Sequence, residues 1–126
     1  MTRSPLVRLS WVAAVGFFVV LGGVWPFLAP RSFFDALVAF PPFNAHLLRD
    51  IGSFQLGIGG ALLAAAKWRD GLLVALTGAA VAGVFHVVSH IVDSNKGGNP
   101  TDIPLLALLA IFLVVGAFAR AKEVRT

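Results

Sequence analysis

The chain has 126 residues, enough for one domain. It is 58% hydrophobic but only 13% charged, with a mean hydropathy of +0.88. Soluble domains carry about 25% charged residues, and a chain this short cannot bury so much apolar surface within itself, which excludes a water-soluble globular protein. The net charge of +4 does not indicate a nucleic-acid partner, because the basic residues lie in short segments between apolar runs, as in cytoplasmic loops of membrane proteins. Cysteine is absent, which excludes disulfides and thiolate metal sites.

Arg3 and Arg8 precede an apolar run longer than the ~7–15-residue core of a secretory signal. No small-x-small cleavage site follows it, and Pro30 stands where one would be sought. We read residues 9–29 as a first membrane span, about the ~20 residues that a bilayer core requires. Trp11 and Trp25 lie near its two ends, where aromatic belts form. The segment 31–43, RSFFDALVAFPPF, is too short to span. Phe33, Phe34, Leu37 and Phe40 share one helical face, so the segment reads as a short interfacial helix, stopped at Pro41-Pro42. Arg31 and Asp35 are an i, i+4 pair on its solvated side.

A second span covers 45–66, with Asn44 as N-cap. The turn Lys67-Trp68-Arg69-Asp70 is short enough to force an antiparallel hairpin with a third span, 71–92. Asp70 would cap that span, and Trp68 would anchor the turn at the interface. A polar loop, SNKGGNPT at 94–101, is no glycosylation acceptor because Pro100 occupies the middle of Asn99-Pro100-Thr101. Asp102 would then cap a fourth span, 103–119, with Pro104 tolerated in its first turn, and the polar tail beyond would fray. The expectation is an all-α, integral membrane four-helix bundle, one transmembrane domain over 1–126, with an interfacial helix between spans one and two. With four spans, Arg3, Arg8, Lys67, Arg69, Arg120, Lys122 and Arg125 share one side against Arg31, Arg49 and Lys96 on the other. That asymmetry places both termini in the cytoplasm of a multi-pass protein of the cell membrane.

Two polar clusters interrupt the apolar pattern. On span two, His46, Asp50, Ser53, Gly57 and Gly60 recur at helical intervals. Small residues let helix backbones approach in a membrane, so this face is expected to point into the bundle, with Arg49 beside it reaching the interface. Gly57, Gly59 and Gly60 lie within the helix and make no phosphate loop. On span three, Ala75, Ala79, Ala82, His86, His90 and Asp93 share a face. The tight turn brings His46 level with Asp93, Asp50 with His90, and Ser53 with His86. Charge in hydrocarbon costs ~2.5–3.5 kcal/mol, which pairing would reduce. Gln55 is expected to face away, toward another helix or subunit.

Three readings stay open. The pairs could simply tie two helices together. They could hold a divalent metal, with His86, His90 and Asp93 as ligands, or a haem between His46 and His86 or His90. They could line a pocket for a quinone- or isoprenoid-like molecule, bound by His46, Arg49, Asp50, Ser53, His86, His90 and Asp93. In that pocket His46, Asp50, His86 and His90 are the candidates for acid–base or redox chemistry. Partners beyond the bilayer would be a second copy or a membrane complex.

The chain also resembles the small four-span DoxX-like bacterial membrane proteins. The resemblance lies in the Phe-rich segment 33–43, the opening Leu48-Arg49-Asp50-Ile51-Gly52 with Leu56-Gly57-Ile58-Gly59, and the basic turn after it. It implies a four-helix membrane bundle and, by analogy with some members, an accessory or catalytic role in quinone-coupled oxidation. It implies no catalytic residue set.

Overall fold

The computed structural model describes residues 4–67 and 71–125 and is all-helical, with no strand among those residues. Helix α1 is Pro5–Leu28, α2 covers 30–38, α3 is Ala45–Lys67, α4 is Gly71–Val92 and α5 is Asp102–Arg125. Three of them, α1, α4 and α5, are long and apolar enough to cross a membrane. Helix α3 is as long, but its polar first turns lower its hydropathy. The expected cap of Asp70 and the residues Arg3, Trp68 and Arg69 lie outside the described residues.

Helix α1 starts earlier than expected. Ser4 caps it by accepting the Val7 N–H, and Pro5 occupies the first turn, where a missing N–H costs nothing. Its middle, Gly16–Val24, is wound as a π-helix. The expected Asn44 cap is present, with Oδ1 accepting the Leu47 N–H at 3.1 Å. Asp102 does not cap α5 as expected. It is the first helical residue, and its carboxylate turns back to accept the Asn99 N–H at 2.8 Å. The C-terminal tail does not fray. Helix α5 continues to Arg125, held by a buried Arg120 that donates to Glu123, while Glu123 accepts the Ser4 N–H.

Consecutive long helices run antiparallel. The α1–α3 and α4–α5 contacts are the most extensive, and α1 also touches α4 and α5. Close approach of α1 and α3 depends on glycine: Gly52 lies against the Gly23 carbonyl and Phe27, and Gly59 against Val19. Helices α1 and α5 meet at Ser10, whose Oγ donates to the Phe112 carbonyl and packs on Gly116. Trp11 Nε1 donates to the Leu62 carbonyl at 2.7 Å. In an apolar environment these bonds satisfy groups that would otherwise be costly to bury.

The apolar core lies toward the end that carries the termini. Val7, Ala14, Phe18, Leu62, Ala65, Leu72, Leu76 and Ala79 form it together with Ala80 and Leu113. The opposite, distal end holds the start of α3, the end of α4, the 94–101 loop and the start of α5. There the space between helices carries imidazole, carboxylate and carboxamide groups, so the candidate site belongs to that end.

Candidate functional site

Two turns of α4 carry the centre of the site. His86 and His90 are one turn apart, and their rings lie 5.0 Å between centroids. Phe17 of α1 borders His86 at 6.2 Å, and Phe40 meets the His90 ring edge-on at 5.5 Å. The carboxylate partner of His90 is Asp102, with Oδ2 3.9 Å from Nδ1. These two side chains are only 18% and 20% exposed. A gap of 3.9 Å is just beyond a direct hydrogen bond, and one bridging water or a small ring rotation closes it.

A strap covers this group. Residues 37–40 leave α2 through Ala39, whose φ of 51° is left-handed, a conformation that disfavours a side chain. The strap is fastened to the 97–99 loop. Asn99 Nδ2 donates to the Leu37 carbonyl at 2.8 Å, and the Gly98 N–H donates to the Ala39 carbonyl at 3.0 Å. Gly97 and Gly98 both have positive φ, and a Cβ on Gly98 would stand 2.8 Å from the Phe40 ring. Glycine is therefore required on both counts, conformation and space. Strained backbone of this kind tends to gather at functional sites.

The expected cross-helix pairs are not formed. His46 Nε2 pairs with Asp50 of its own helix at 3.4 Å, and the two side chains are 85% and 52% exposed. Ser53 donates to the Arg49 carbonyl, and both residues are exposed. Asp93 binds Lys96 at 2.6 Å. The physical reason is that α3 presents a different face to the bundle. Leu48, Gly52, Gly59, Leu62 and Ala65 are buried against α1, whereas His46, Asp50, Ser53, Gly57 and Gly60 point outward. A Cβ on Gly57 or Gly60 would meet nothing within 4 Å. The face read on α4 does point inward, from Ala75 and Ala79 to His86 and His90.

This geometry also corrects the metal expectation. Asp93 is turned to Lys96, so the set His86, His90 and Asp93 is not assembled. Among the described residues no group of three His, Asp or Glu stands close enough to hold an ion.

Asp102, Asn99 and Phe40 belong to this end of the molecule, Phe17 borders it from the edge of the apolar core, and the sequence pattern singles out none of them as a site residue. Asp102 had a signal, a carboxylate following a Gly-Gly turn, but that signal equally fits a helix cap. Gln55 faces another helix, one of the two expected alternatives. Its Oε1 is buried with no hydrogen-bond partner, and its Cγ and Cδ lie against Gly22 of α1. The arrangement offers two imidazoles, one carboxylate and one carboxamide among aromatic rings. It can bind a polar head group and move a proton. No family model, curated protein or solved structure matches the chain.

Proposed function

We propose that the chain is a four-span protein of the cell membrane, with cytoplasmic termini and a ligand site at the outer ends of its helices. Helix α3 is the remaining span, and residues 30–38 lie along the outer interface. The ligand is a lipophilic small molecule with a hydrogen-bonding head, quinone- or isoprenoid-like. His86 and His90 bind that head, Asp102 orients His90, and Phe17 and Phe40 flank the ring or chain. His46, Arg49, Asp50, Ser53 and Asp93 are surface groups at the mouth. The observation that carries this reading is the partial burial of His86, His90 and Asp102 together at the end of the molecule that lacks the apolar core. Intramembrane ionisable groups are costly and mark function by default.

The test is binding of farnesol and of a decyl-substituted benzoquinone to the purified chain in lipid nanodiscs. Saturable binding of either, weakened at least tenfold in His86→Leu, is expected. Equal binding by wild type and His86→Leu would overturn the assignment.

A second reading rests on a different observation. A groove of about 530 Å³ between α3 and α4 is lined by small residues, among them Ala61, Ala64, Gly71, Ala75 and Gly78, and it adjoins the open face of Gly57 and Gly60. Such a surface fits the close approach of another helix. In that reading the chain is an accessory subunit of a membrane complex, and stoichiometric co-purification of a partner would favour it.

A further inference from the structure

The Gln55 Oε1 is buried without a hydrogen-bond partner at the contact of α3 with α1. A buried acceptor without a donor costs about 1–3 kcal/mol, and native interiors leave few such groups. Gln55 lies where α1 and α3 are held closest by Gly22, Gly23 and Gly52. On α1 this is also the π-wound stretch Gly16–Val24, and π-turns occur frequently at functional sites. On the same stretch the Phe17 ring meets His86, one π-turn from the Gly22 against which Gln55 packs. The Phe17 ring at His86 and the Gly22 contact of Gln55 thus lie on neighbouring turns of α1, at the edge of the apolar core.

We propose that Gln55 is a ligand-binding residue, and that its Oε1 accepts a hydrogen bond from a hydroxyl on the bound molecule. This rests on the ligand reading above and narrows it to molecules that carry a donor, such as a prenyl alcohol. An aprotic head of the same shape would leave the carbonyl unpaired. A site built around a buried polar group rejects such analogues.

Farnesol and farnesyl methyl ether differ in that donor, and their binding to the full chain in nanodiscs tests the inference. Wild type is expected to prefer the alcohol by about tenfold, the worth of one hydrogen bond. Gln55→Leu and Gln55→Met both remove the acceptor at nearly constant volume. Both are expected to abolish the preference. A preference that survives both substitutions would show that the carbonyl serves the fold or a structural water, and would overturn the inference. So would equal affinity of wild type for the two probes. Failure of wild type to bind either probe would overturn this inference, and failure of the decyl-substituted benzoquinone to bind as well would overturn the ligand reading itself.

Discussion

Substituting Gly52 and Gly60 in turn asks which face of α3 packs. A Cβ on Gly52 would stand 2.9 Å from the Gly23 carbonyl oxygen, 3.0 Å from the Phe27 nitrogen and 3.1 Å from Phe27 Cβ. Two of these are backbone atoms, so no side-chain rotation relieves the overlap. Helices α1 and α3 must instead separate by a few tenths of an ångström along their whole contact. Overpacking of this kind costs about 1–3 kcal/mol, against a gain in helix propensity of at most about 1 kcal/mol for Gly→Ala. Gly52→Ala should therefore destabilise by about 1–2 kcal/mol. Gly60→Ala meets nothing within 4 Å and should be neutral or up to about 1 kcal/mol more stable. Reversible unfolding in mixed micelles on titration with SDS, followed by circular dichroism, measures both. A neutral Gly52→Ala beside a destabilised Gly60→Ala would refute the packing described and restore the face carrying His46 and Asp50 to the interior.

Three further outcomes follow from individual contacts. Asn99→Ala removes the bond to the Leu37 carbonyl, and amide hydrogen exchange of residues 37–40 should quicken by about fivefold, equivalent to roughly 1 kcal/mol, with no change in α4. Arg120→Met leaves Glu123, which also holds the Ser4 N–H, without this cation. A loss of about 1–3 kcal/mol in the same SDS titration is expected, with a smaller loss for Glu123→Gln. The chain has no cysteine, so single introduced thiols report topology: Ser94→Cys should react with an impermeant maleimide in intact cells and Ala121→Cys should not, and the reverse pattern would invert the assigned orientation.

Much of the helical layout was legible. The span 71–92 was marked by its uninterrupted apolar run and by the polar loop after it, and the Asn44 cap by its place before the next run. The face of α3 was not legible, because the sequence carries two small-residue stripes, Gly52 with Gly59 and Gly57 with Gly60. Both satisfy helical spacing. Only the partner decides between them, and that partner is α1, whose Gly22 and Gly23 match the first stripe. The polar residues at the start of α3 favoured the wrong stripe, since solvent at the end of the molecule satisfies His46 and Asp50 without help from α4. The carboxylate of the site was hidden for a related reason. Depth across the tight turn matches α4 with α3, whereas its more extensive contact is with α5, and the Gly97-Gly98 turn returns Asp102 beside His90. His86 and His90 were legible because they continue the alanine face of an apolar helix, and imidazoles in such a helix turn away from lipid.

The central claim is that His86, His90 and Asp102 form the head-group end of a ligand site. Native mass spectrometry of the chain, purified in mild detergent from the membrane that made it, tests this most directly. The account predicts a bound small molecule on the wild-type protein that is lost from a folded His86→Leu/His90→Leu variant. A wild-type protein that carries no such molecule, or a variant that retains it in full, would contradict it.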